Sequence, residues 1–305
     1  MTAQAGDDVK RTYEVTDISD WVVTSQEARG LDPKDWVTPP GQGSLDGQAH
    51  WWLFKPIKLA TYRRYDDWAE KLSCELARLL GLPSARVELA RRHDEHGIIS
   101  ANVTPVGWTM ESGDTMLSEI PGYISCAPDD RPKNRIGHNL INIEEVLEGC
   151  LGPPGTTCED WTASEVFAGF LVFDAWVANT DRHAINWGVL TCEQDGRQAL
   201  AASFDHGSAL ASGTQEDRLL TTTPAHYADR GLARRFENGA RLPLVNLARE
   251  SVERTGGRAE RWLERLAAVE DDAIDDVLGR IQEMSQVRRM FLRNLLLINR
   301  RRLTS

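Results

Sequence analysis

At 305 residues, with 41% hydrophobic and 27% charged residues, the chain has the balance of a soluble globular protein able to bury a large core, as one bilobal unit or two modest domains. Its 35 Lys and Arg against 46 Asp and Glu leave a formal net charge of −11, which excludes non-specific binding to nucleic acid or anionic membrane as a working class. No run approaches the roughly 18 apolar residues that a membrane span needs, and Met1 to Asp8 lack the cationic and apolar pattern of a secretion signal, so a cytoplasmic location is expected. Five cysteines (Cys74, Cys126, Cys150, Cys158, Cys192), odd in number and without metal-ligand spacing, read as reduced thiols.

In chain order, Thr12 to Ile18 alternates as a strand does, and Trp21 to Thr24 reads as another. Pro39 to Gly47 is a turn-rich, glycine-containing loop that leads into the strand Trp51 to Pro56, which carries Lys55. Asp66 to Leu80 has helical spacing, with Trp68, Leu72, Leu76 and Leu79 on one face and Gly81-Leu82-Pro83 as its stop. Ala85 to Ala90 and Gly97 to Val103 read as a hairpin about the charged turn Arg92 to His96, whose histidines are turn residues. The sheet is expected to end near Val106-Gly107-Trp108, and Thr109 to Thr115 to form a hinge. Beyond it the pattern is helical around 143–149, 161–177, 259–270, 273–284 and 288–303, with an exposed loop at Leu151 to Thr157. Ala211 to Arg234 is polar, contains Pro224 and lacks a period, so it reads as an irregular segment. Arg300-Arg301-Arg302 are cations on a helix C-terminus.

The chemistry concentrates at Asn179-Thr180-Asp181-Arg182-His183-Ala184-Ile185-Asn186, followed by Ser203-Phe204-Asp205-His206-Gly207. Phosphoryl transfer needs one carboxylate to orient and deprotonate a hydroxyl, and an amide oxygen and a second carboxylate to hold Mg²⁺ on nucleotide phosphates. Asp181, Asn186 and Asp205 supply those groups, at the step and order of a kinase catalytic loop and its Asp-x-Gly turn. Phe170 to Val177 reads as a buried helix delivering the loop, and Trp187 to Leu190 and Leu200 to Phe204 as short flanking strands. Two other readings stay open on these residues: a polar helix-capping turn, and a hydrolase metal cluster of Asp181, His183, Asp205 and His206.

The Asn-Thr-Asp-x-His-x-x-Asn and apolar-Asp-x-Gly pair resembles the HipA-like Ser/Thr kinases, and its core is also similar to phosphoinositide kinases. The resemblance implies an α+β, protein-kinase-like bilobal fold, with a small β-rich N-lobe over 1–108 and a mainly helical C-lobe over 109–305. It implies transfer of the γ-phosphoryl group of ATP, with Mg²⁺, to a protein Ser/Thr hydroxyl. A lipid or small-molecule kinase of the same fold and a nucleotide-binding pseudokinase are the alternatives. Carried onto this chain, Lys55 contacts the α- and β-phosphates and Glu70 sets Lys55, although helical phase favours Glu75 for that pairing. Gly43 and Ser44 lie in the loop over the nucleotide, where two readings of Ser44 stay open, an unmodified turn residue and a site of silencing by phosphorylation. Glu111 and Gly113 fall in the hinge that would hold the adenine. Asp181 is the expected base, Asn186 and Asp205 the metal ligands, and His183 neutralises the γ-phosphate or braces the loop. Only forty residues precede Gly41, so an antitoxin partner docked on an extra N-terminal domain is not expected.

Overall fold

The computed structural model describes residues 12–26, 34–41, 47–57, 65–125 and 135–305. Gly43, Ser44 and Cys126 lie outside the described residues. The N-terminal part is one six-stranded sheet built from β1 (Val15–Asp17), β2 (Val22–Gln26), β3 (Asp35–Thr38), β4 (Trp52–Pro56), β5 (Val87–Arg92) and β6 (Glu95–Ala101), in the order β1-β5-β6-β4-β3-β2. All neighbours pair antiparallel except β1 with β5. In the central pair Lys55 stands opposite Ile98 and Phe54 opposite Ile99, so the register of β4 fixes which face the lysine takes.

Helix α1 (Asp66–Leu80) is buried on two sides. Cys74 packs with Val87 and Ile98 of the sheet, while Ala69, Leu72, Leu76, Ala77 and Leu80 join the core of the C-terminal part. Gly81 ends it in a left-handed conformation (φ 70°), returning its N–H to the carbonyls of Ala77 and Arg78, as a glycine-terminated helix does.

The region expected to be a hinge is regular. β7 (Trp108–Ser112) runs straight into α2 (Gly113–Leu117), whose N-terminus is capped by the Ser112 hydroxyl, and β7 pairs antiparallel with β8 (Gly188–Cys192), which pairs with β9 (Gln198–Leu200). β9 stops at Leu200, short of the strand expected to reach Phe204; the next residues descend to a single bridge between Ser84 and Ser203.

The rest is helical. α3 (Leu140–Val146) leads to α4 (Ala163–Val177), every residue of which except Ser164 is buried. A capping box between Thr162 and Glu165 starts α4, and Ala178 at φ 56° ends it. Around α4 pack α7 (Leu244–Arg254), α8 (Glu260–Ala267) and α10 (Gln286–Thr304), with α9 (Asp271–Gly279) set against α10 and α1. The segment read as irregular contains two short helices, α5 (Glu216–Thr221) and α6 (Pro224–Asp229); Thr223 caps α6 and Pro224 occupies its first turn. Each is six residues long, too short for a hydrophobic period to stand out in a polar sequence. The basic C-terminus is paired: Arg300 donates to the Val269 carbonyl and to Asp271, and Arg302 faces Asp229 at 3.5 Å. Among the described residues no helix is long and apolar enough to cross a membrane, and the four described cysteines are buried free thiols.

Candidate active site

Three elements bring their charged groups to one point. Lys55, from β4, places Nζ 2.8 Å from Glu70 Oε1 on α1 and 3.0 Å from Asp205 Oδ1 in the turn after β9. Glu70 uses both oxygens, because Oε2 accepts the backbone N–H of His206 at 3.0 Å. Glu75 instead pairs with Lys71 at 2.7 Å and Arg78 at 3.2 Å. The phase argument for Glu75 assumed one apolar face; with α1 buried on both sides, Glu70 is the more enclosed carboxylate, its side chain 4% exposed against 14%.

Burial opposes the charged Lys55 ammonium, but the Asp205 and Glu70 carboxylates outweigh it and raise its pKa. Burial likewise opposes the Asp205 anion, yet Lys55 holds its carboxyl well below the usual range. Glu70 is pushed up by burial and by Asp205, against the pull of Lys55. Asp205 sits at φ 61°, a left-handed conformation that Asp and Asn tolerate better than most side chains.

Facing this cluster is the loop delivered by α4. The Asn179 side chain accepts the Asp181 N–H at 3.1 Å and donates to Asp174 at 2.8 Å, tying the loop to the end of its helix. Asn186 Nδ2 donates to the Asp181 carbonyl at 2.9 Å, which leaves Oδ1 as its available donor atom. Arg182, 1% exposed, makes a fork on Asp174 (2.7 and 2.8 Å) and also donates to the Asn186 carbonyl (2.8 Å), the Ser203 hydroxyl (3.0 Å) and His206 Nε2 (3.3 Å). One buried guanidinium thus fastens the catalytic-loop motif to the Asp-x-Gly turn.

His206 packs edge-on against Phe173 at 5.3 Å, and burial followed by the Arg182 charge lowers its pKa well below the usual value. Its Nε2 is taken up by Arg182 and the Ser203 hydroxyl, and among the described residues no three His, Cys, Asp or Glu side chains assemble as a metal cluster. The oxygen atoms of Asp205 and Asn186 do fit Mg²⁺, which characteristically takes one or two protein oxygen ligands and completes its shell with phosphates and water.

Asp181 is held by a residue that the motifs do not contain. Arg235 Nε donates to its Oδ1 at 2.5 Å, and the Ser208 hydroxyl reaches Oδ2 at 3.4 Å. The arginine comes from the stretch between α6 and α7, 54 residues on, and no local spacing signals it. His183 accepts the Ile185 N–H on Nδ1 at 3.3 Å, and burial lowers its pKa, with Arg235 and Arg135 adding to the effect and Asp181 and Asp205 opposing it. Glu111 is exposed on β7, opposite Val189. Gly113 is buried against Trp187, whose carbonyl accepts its N–H at 2.8 Å; a Cβ there would lie 2.1 Å from the indole ring, so the position admits only glycine. Of the expected site residues on described positions, Lys55, Glu70 and Asp205 form one group and Asp181, His183 and Asn186 another, with Gly113 packed on Trp187 and Glu111 exposed on β7 apart from both.

No family model and no curated protein matches this sequence. Solved structures do. The Helicobacter pylori proinflammatory kinase CtkA is similar with a TM-score of 0.66 and 14% identity, over 95% of this chain and 96% of that one. HipA of Shewanella oneidensis, from a complex with HipB and operator DNA, is similar with a TM-score of 0.50 and 12% identity, over 96% of this chain and 67% of that one. At such identities the likeness establishes the fold, which is the kinase-like bilobal α+β fold of HipA-type proteins.

Proposed function

We propose that this chain is an ATP- and Mg²⁺-dependent kinase that phosphorylates a Ser or Thr hydroxyl of a protein. The observation that carries the reading is the Lys55–Glu70–Asp205 ion cluster, with distances of 2.8 and 3.0 Å, standing across from Asp181 and Asn186. A single-function polar turn has no use for all five groups.

In this reading Lys55, oriented by Glu70, binds the α- and β-phosphates of ATP. Asn186 Oδ1 and the Asp205 carboxylate hold Mg²⁺, which when bound neutralises charge on the phosphates. Asp181 orients the acceptor hydroxyl and takes its proton as the new oxygen–phosphorus bond forms and the bond to the β-phosphate oxygen breaks, releasing ADP. Arg182 and Asp174 keep the loop in register, and Arg235 fixes the rotamer of Asp181. Hinge contacts of Glu111 and Gly113 with the adenine, and cover of the phosphates by Gly43 and Ser44, belong to the same proposal.

The test is transfer of label from γ-labelled ATP into the proteome of cells expressing the protein. Lys55→Met is expected to raise the KM for ATP and lower kcat, whereas Asp181→Asn lowers kcat about a hundredfold or more with little change in KM. Asp205→Asn, which keeps the left-handed backbone preference, is expected to abolish Mg²⁺-dependent transfer without unfolding. Full transfer by Asp181→Asn would sink the assignment.

A further inference from the structure

Residues 135–139 are fastened alongside the stretch that holds Asp181. His138 Nδ1 meets the Arg235 carbonyl at 2.6 Å, and Glu237 donates its backbone N–H to the His138 carbonyl at 2.8 Å. The Gly137 N–H and Asn139 Nδ2 both donate to Glu237 Oε2, at 3.3 and 2.6 Å. Trp187 Nε1 donates to His138 Nε2 at 3.3 Å, so His138 is the neutral tautomer with its proton on Nδ1. At the head of this segment stands Arg135, 8% exposed and at φ 44°. Its Nε is buried without a hydrogen-bond partner, and among the described residues it forms no ion pair.

A buried guanidinium with no counter-ion is costly, and such groups persist where a ligand completes them. Arg135 and Arg235 both act electrostatically on His183, and Arg235 is itself paired with Asp181 at 2.5 Å. We propose that Arg135, with His183 and Arg235, forms an oxyanion subsite beside Asp181 that receives a carboxylate or phosphate carried by the acceptor polypeptide next to its hydroxyl. The planar fork of arginine matches both groups. The chain as a whole, at a net −11, repels such an acceptor, so a local cationic cluster is what would admit it. That the ligand is an acceptor rests on the kinase reading; that the subsite binds an oxyanion does not. The same chemistry could instead serve the transferred phosphoryl group of ATP.

Calorimetry on the full chain separates these. The probes are a short serine peptide pool with a phosphoserine neighbour, the same pool with Asp, the same with Ala, and, separately, Mg-ATP. The natural chain is expected to bind the phosphoserine and Asp pools about tenfold or more tightly than the Ala pool, Arg135→Gln to lose that preference, and its Mg-ATP affinity to stay within about twofold. Arg135→Lys, which keeps the charge but not the fork, should retain part of the preference. Thermal melts control for folding: removing an unpaired buried charge should leave Arg135→Gln at or above the natural melting temperature. A preference unchanged by Arg135→Gln, no preference in the natural chain, or a melt well below it overturns the proposal. Parallel loss of peptide and Mg-ATP binding also overturns it, assigning Arg135 to the nucleotide. Anionic-peptide binding without phosphate transfer would leave the subsite standing while the kinase reading fails.

Discussion

Two donors of unequal strength share the Asp181 carboxylate. Arg235 takes Oδ1 at 2.5 Å, while Ser208 only grazes Oδ2 at 3.4 Å, so under the proposed function Oδ2 is the oxygen that would meet the acceptor hydroxyl. Under the same proposal Arg235 is a positioning residue. Arg235→Gln is expected to lower kcat about tenfold to a hundredfold while the KM for ATP moves less than about twofold, because a misplaced base costs in the transition state. Arg235→Lys should recover part of the loss, since an ammonium can replace one N–H contact; equal kcat in all three proteins would show that Asp181 is held by its own loop. Asp181, Asn186 and Asp205 could be singled out in the sequence because their spacing is local and the proposed phosphoryl transfer calls for those functional groups. Arg235 could not, because it reaches Asp181 only through tertiary packing of a stretch with no pattern of its own.

At the scale of elements, α1 carries an internal conflict. Asp67, in its first turn, is buried with Oδ1 unpartnered, and burial, with a smaller push from Glu283, raises its pKa to about 7. A raised carboxyl favours the fold below its unfolded value near 3.8 and loses that advantage as pH climbs through about 7. Asp67→Asn, which carries no charge, should therefore gain on the natural chain between pH 5 and pH 8 by about 2–3 kcal/mol. Chemical denaturation at both pH values reads the gain directly, and a pH-independent difference would mean that Asp67 titrates normally. The ends of α1 were legible from its spacing and from Gly81, but its phase was misleading for Glu75, because periodicity analysis has no way to weigh a helix buried from two directions. α5 and α6 escaped for the opposite reason, being too brief and too polar to show a period. α7 was not among the expected helices, although Leu244, Leu247, Ala248 and Val252 stand at helical spacing behind Pro243.

Across the whole molecule, the sheet is tied to the helical part at several separate places. Tyr13 donates its N–H to the Arg280 carbonyl and its hydroxyl to that of Val277, Ser84 bridges Ser203, and the Lys55 cluster spans β4, α1 and the turn after β9. The order of a β-rich N-terminal region and a helical C-terminal region was visible in the change from alternating to helical pattern. The strand order was not, because β1 beside β5 and β4 beside β6 are pairings between residues far apart in sequence, and nothing local specifies them. If the cluster couples the two parts, Lys55→Ala and Asp205→Asn will be non-additive in unfolding free energy by about 1–3 kcal/mol. Additive values in a double-mutant cycle would mean that the two parts are stabilised independently.

Glu70 has one carboxylate and two obligations, the Lys55 ammonium on one oxygen and the His206 amide on the other. Glu70 therefore links β4 to the turn after β9, and a movement of α1 would break both of its contacts at once, leaving Lys55 on Asp205 alone. An agent that displaced α1 from the side facing α8 and α9 would open both contacts without entering the cleft.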